Sequence, residues 1–204
     1  MHASLPLTAF TLIGLSSALP RTGPLSPFAP IPMQARQSNT KLCSVIGSTT
    51  LPAEVSDAAS ALANSITCST SKTTISGVPD VTSGNVTYSS IDFSTASTSP
   101  LKFALDTFAT ASTLADTDLK TFQDMRDVYV ATEAGIRSVG GSLAIKAPKF
   151  FLQMQVSRIQ TAQGNPPAEA GLQVDHLRDK VTKNAGTADK AFVDQVTQLA
   201  AQTS

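Results

Sequence analysis

The chain has 204 residues, of which 15 are basic, 15 acidic and 41% hydrophobic. Balanced charge supplies no global field to steer it to nucleic acid or an anionic membrane, and no nucleic-acid partner is expected. With two cysteines, no Cys-x-x-Cys and two histidines, the composition offers no zinc or thioredoxin-type site, and no metal or cofactor is expected.

Residues 1–18 read as a secretory signal peptide. An apolar run from Leu5 to Leu15 precedes Ser16-Ser17-Ala18, which places small residues at the −3 and −1 positions of a cleavage site. The run is too short to span a bilayer, no other apolar stretch approaches eighteen residues, and no membrane span is expected. Residues 19–36 carry Pro20, Pro24, Pro27, Pro30 and Pro32. That density of proline excludes helix and central strand, and the segment reads as an extended pro-segment or linker. Its removal through Arg36 would leave 13 basic against 15 acidic residues. Residues 37–204 are long enough for one domain with its own core.

In an oxidising compartment Cys43 and Cys68 are expected to form a disulfide. The loop of about 25 residues that they close would contribute about 3–3.5 kcal/mol by chain entropy.

Pro52 to Ile66 has helical spacing. Proline falls in its first turn, and Val55, Ala58, Ala59, Leu62 and Ile66 lie on one face, with an end near Cys68. Between Ser69 and Ser99, 16 of 31 residues are Ser or Thr. Val78-Pro79-Asp80 and Ser83-Gly84-Asn85 signal turns, so 69–99 is expected as a long exposed loop, with a short hairpin as the alternative. Asn85-Val86-Thr87 in that loop is an N-glycosylation acceptor.

Ser99-Pro100 opens a second helix. A third begins at Asp116 and Asp118, carries Leu119, Phe122, Met125, Tyr129 and Ile136, and stops at Gly140-Gly141. A fourth runs from Pro148 to about Gln163, a fifth spans Leu172 to Asn184, and a sixth starts at Thr187. Short connections favour antiparallel neighbours. The expected fold is therefore all-α, an antiparallel bundle of five to six helices with a disulfide-stapled N-terminal segment.

Four motifs resemble catalytic ones, and each has a simpler explanation. Gly135-Ile136-Arg137-Ser138-Val139-Gly140 is one residue too long for a nucleophile elbow. Ser69-Thr70-Ser71-Lys72 is one of many chance matches in a Ser/Thr tract. Asp116, Asp118, Asp124 and Asp127 near a helix start complement its dipole. His176 and Asp179 share a helical face, but Asp175–Arg178 and Asp179–Lys183 make ordinary helical ion pairs. No catalytic residues are expected.

The least expected feature is Ala134 to Ala168, which contains no acidic residue but holds Arg137, Lys146, Lys149 and Arg158. With Phe150 beside them, these four cations form a candidate partner-binding patch, suited to an acidic surface, a phosphate or a lipid interface. A buried bundle helix with outward-reaching lysine stems would give the same pattern.

Tyr129 to Arg137, Lys149 to Val156 and His176 to Val181 resemble small secreted proteins of filamentous fungi. In composition alone, the Ala/Ser/Thr-rich helices are similar to fungal hydrophobic-surface-binding and cell-wall mannoprotein modules. The resemblance implies a released or wall-associated protein that meets a host or cell-wall component. The expected function is a secreted, non-enzymatic interaction protein of the effector, virulence-related or cell-surface kind. One alternative is an extracellular carrier or surface binder for an apolar small molecule or lipid, suggested by Phe150, Phe151 and Met154. Another is a small secreted hydrolase that would depend on His176.

Overall fold

The computed structural model describes residues 42–204. Residues 1–18, read above as a signal peptide, and the proline-rich stretch 19–36 lie outside them. Six α-helices are formed: α1 (Ala53–Ala61), α2 (Pro100–Thr107), α3 (Leu119–Ser138), α4 (Lys146–Ala162), α5 (Val174–Asn184) and α6 (Val193–Ala200). Each lies where the sequence spacing is helical, but two expectations are corrected. Helix α1 is shorter than Pro52–Ile66, with Ile66 in the sheet, and Thr187–Phe192 is a 3-10 stretch, so the sixth helix starts at Val193.

The all-α expectation is overturned. An antiparallel three-stranded sheet occupies the Ser/Thr-rich region in the order β1 (Ile66–Thr73), β2 (Pro79–Ser83), β3 (Val86–Thr87). Ile66 pairs with Ser83, Cys68 with Val81 and Ser83 with Val86. The fold is therefore mixed α/β. Residues 69–99 are a sheet followed by 3-10 turns at Tyr88–Ser90 and Phe93–Thr95, not a long loop. Helix α1 ends at Ala61, and Cys68 belongs to β1.

Helix α3 lies between the sheet and α4. Its Tyr129 ring meets Tyr88 edge-on at 5.1 Å and Phe108 at 5.7 Å, and its hydroxyl donates to the Ile91 carbonyl at 2.7 Å. Geometries of this kind add to the area term of burial. Helix α4 touches α2, α3 and α5 and is covered nearly all round. Phe151, Leu152, Met154, Val156 and Ile159 are all buried. So are Gln155 and Arg158, whose polar groups are satisfied internally. Gln155 Nε2 donates to the Phe108 carbonyl at 2.8 Å, while Arg158 donates to Gln155 Oε1 at 2.5 Å and to the Gln202 carbonyl at 3.0 Å.

The N-terminal segment forms a strap over α3. The Cys43–Cys68 disulfide (Cα–Cα 5.9 Å) fixes its start to β1. Ser44 Oγ donates to the Ala131 carbonyl at 2.6 Å, and the Gly47 N–H donates to Ser138 Oγ at 2.9 Å. Gly135 permits this approach, since a Cβ there would lie 2.6 Å from the Ser44 carbonyl oxygen and 2.7 Å from Val78 Cγ1. Gly135→Ala is therefore expected to cost about 1–3 kcal/mol by overpacking, read from urea unfolding. A loss under about 0.5 kcal/mol would contradict the close contact.

Helix α3 begins at Asp118, whose side chain caps the Lys120 and Thr121 N–H groups. The Thr121 hydroxyl, and then these N–H groups, hold the Asp118 carboxyl below its ordinary value of 3.8. A carboxyl depressed by folding stabilises above its unfolded pKa and loses that contribution as acid protonates it. The melting temperature of the wild type is thus expected to fall more steeply below pH 3.8 than that of Asp118→Asn. Parallel curves would contradict a titrating cap.

Candidate functional site

Helices α1, α3, α4 and α5 enclose an open cleft of about 470 Å³. Helical spacing determines which side chains reach it. Lys146, Lys149, Phe150 and Gln153 on α4 follow i, i+3, i+4, i+7 and so share one face. Val130, Glu133 and Arg137 on α3 do the same, as do His176 and Lys180 on α5. Glu54, Val55 and Ala58 of α1 and Leu172, just before α5, complete the walls. Six of the fifteen lining residues are apolar: Val55, Ala58, Val130, Phe150, Leu172 and Leu177.

Glu133 organises the charges. Its side chain is only 3% exposed. Arg137 Nε donates to Oε1 at 2.8 Å, with Nη2 also 2.8 Å away, and the Lys149 ammonium holds Oε2. Lys149 also lies 4.2 Å from the centroid of the Phe150 ring. Two cations thus share one carboxylate. Lys146 and Lys180 make no ion pair among the described residues. The cleft therefore carries an excess of positive charge above an apolar floor.

Of the five residues in the sequence-derived patch, Arg137, Lys146, Lys149 and Phe150 meet here, whereas Arg158 does not. Lys149 and Arg158 are nine positions apart on α4, about half a turn out of phase, so they face opposite sides of the helix. Burial holds the Arg158 guanidinium below its ordinary pKa, and its hydrogen bonds tie the C-terminal residues to α4. Phe151 and Met154 are core residues rather than ligand contacts. His176 stands exposed on the cleft rim.

Sequence reasoning missed Glu133, Lys180 and the α1 wall. Glu133 was accessible to it: it is four residues from Arg137 and immediately precedes the acid-free run. The contribution of α1 was not, because tertiary packing alone brings it against α3.

The remaining motifs resolve into structural roles. Gly140 adopts φ +68° just after α3, and the N–H groups of Gly140 and Gly141 bond back to the Arg137 and Ile136 carbonyls, the pattern of a Schellman stop. With Gly135 under the strap, the elbow-like sequence is a helix terminus. Ser69 Oγ accepts from the Ser71 and Lys72 N–H groups, while the Lys72 ammonium reaches Ser89 and Asp80. Asp118 is a cap, Asp124 is held by Ser83 and Lys120, and Asp127 by Arg126. Arg178 bridges Asp175 and Asp179, each at 2.8 Å, so Asp179 pairs with Arg178 instead of Lys183. Among the described residues no cluster of three or more His, Cys, Asp or Glu is arranged to hold a metal, and no helix is long and apolar enough to cross a membrane. Asn85 is exposed at the turn between β2 and β3.

A family model described as a domain of unknown function, DUF7143, matches residues 45–204. The chain belongs to this family. The DUF7143 match takes in the sheet, all six helices and every residue lining the cleft, and of the two disulfide cysteines it includes Cys68. No curated protein and no solved structure matches the chain.

Proposed function

We propose that this chain is an exported, non-enzymatic recognition protein that works outside the cell through the cleft between α1, α3, α4 and α5. The observation that carries the reading is Lys146 and Lys180, free of ion pairs, above an apolar floor. Uncompensated cations beside apolar surface give up solvation for no internal return, and an external partner supplies that return. The export-type N-terminus supports an extracellular site of action. So does the Cys43–Cys68 disulfide, a bond that persists in oxidising compartments. The Asn85 acceptor stands exposed at the turn between β2 and β3, as attachment of a glycan requires. The resemblance to fungal secreted proteins gives the partner as a host or cell-wall component, and the role as that of an effector or wall-associated protein.

The test is retention of the purified mature protein on fungal cell-wall material and on immobilised host apoplastic fluid. The double reversal Lys146→Glu/Lys180→Glu is expected to lower retention at least ~10-fold. Lys102→Glu/Lys190→Glu, which changes charge equally but away from the cleft, should leave it intact. Equal retention of the two variants would contradict the proposal.

A further inference from the structure

We infer that the cleft takes an amphipathic anion, an apolar chain or ring system ending in one carboxylate or phosphate group. The inference rests on the recognition reading above and names the ligand class for that same cleft.

Three features point to this chemistry. The volume of about 470 Å³ falls in the range of sites that enclose a small organic ligand. Val55, Phe150, Leu172 and Leu177 in the lining suit an apolar body, with Gln153 and His176 as the uncharged polar side chains beside them. The charged groups around it are Arg137, Lys146, Lys149 and Lys180 against Glu54 and Glu133. Glu133 already answers Arg137 and Lys149, and Glu54 pairs with neither Lys146 nor Lys180, so these two are left to receive an anion in a lining of four cations against two carboxylates.

The start of α4 adds a further reason. Its first turn contains no acidic residue, and Lys146 and Lys149 stand at the end where the helix dipole is positive. Cations there are disfavoured by the dipole. An anion between Lys146 and Lys180 relieves that repulsion and accepts charge-assisted hydrogen bonds in a partly desolvated site. Phe150 then lies beneath the apolar body, adjacent to Lys149.

Glu133 sets the strength of the site. It competes with any incoming anion for Arg137 and Lys149, so its neutralisation should tighten anion binding while apolar contact stays the same. A purely structural carboxylate would not produce that gain.

The experiment is calorimetric titration of the folded mature protein with dodecanoate, dodecyl phosphate, dodecanol and dodecyltrimethylammonium, each below its micelle concentration. Both anions should bind at least ~10-fold more tightly than the alcohol, with the cation weakest, because one charge-assisted hydrogen bond is worth about that factor. Lys146→Glu/Lys180→Glu should abolish the preference for anions, and Glu133→Gln should tighten it several-fold; where Glu133→Gln fails to fold, the lysine pair decides. A tighter carboxylate points to a free fatty or aromatic acid, and a tighter phosphate to a lipid headgroup or phosphate ester. Equal affinity for dodecanol and dodecanoate, or unchanged anion binding in the lysine variant, overturns the inference. If no amphiphile binds while that variant still loses retention on wall or apoplastic material, the ligand class is wrong and the recognition reading stands. If retention is also insensitive, both fall.

Discussion

Glu133→Gln is expected to lower the unfolding free energy by about 3 kcal/mol at neutral pH, despite a change of only one atom type. Glu133 is nearly fully buried and supplies a charge to two cations that are themselves only 19% (Arg137) and 15% (Lys149) exposed. Without the carboxylate, two partly desolvated positive charges face each other across the wall between α3 and α4. The penalty comes from the stranded partners more than from the lost attraction. A second substitution should therefore recover part of the loss, since Lys149→Met removes one of the stranded charges. Urea unfolding of the two single variants and the double variant measures the coupling, and strict additivity would contradict the shared carboxylate. Added anionic ligand should likewise restore more stability to Glu133→Gln than to the wild type.

Replacing both cysteines with serine is expected to cost about 3.5 kcal/mol, the loop-closure value for a cross-link of this span. The two residues are 25 positions apart. The bond acts mainly on the unfolded chain, because the strap has other anchors: Ser44 on Ala131, and Gly47 and Thr49 on Ser138. The reduced fold should accordingly keep its helical and strand content while unfolding at lower denaturant. Reductant should bring the wild type to the same midpoint as Cys43→Ser/Cys68→Ser. A loss under about 1 kcal/mol would mean that the strap contacts alone hold this end of the fold.

The existence of six helices was legible from three-to-four apolar spacing, and α2 and α4 also carry boundary signals in sequence: Pro100 at the start of one and Gly164-Asn165-Pro166-Pro167 after the other. The end of α1 and the start of α6 were not, since Ile66 goes to the sheet and Thr187–Phe192 winds as a 3-10 helix. The sheet was not legible, for a physical reason. β1 is exposed along most of its length and built of Ser, Thr and Lys, so its inward and outward positions are chemically alike. Alternation between similar polar residues leaves no period-two signal. Tyr88, Ile91 and Phe93 alternate loosely because they sit in and between 3-10 turns rather than in a strand, although all three are buried. At the candidate site, the acid-free run supplied the α4 wall of the cleft, and helical phase sorted its members. Lys146, Lys149 and Phe150 share a face, whereas Arg158 points to the opposite side, into the core. The sequence could not show that Lys180 and the α1 wall complete the cleft, since only tertiary packing brings α1 and α5 to this face of α4.

The cleft itself is tested most directly by a lysine-modification footprint read by mass spectrometry, comparing the protein alone with the protein bound to cell-wall or apoplastic material. Lys146 and Lys180 should lose reactivity several-fold on binding, while Lys72 and Lys190, which lie away from the cleft, keep theirs. Uniform labelling across all four lysines, bound and free, would show that recognition does not take place between α1, α3, α4 and α5.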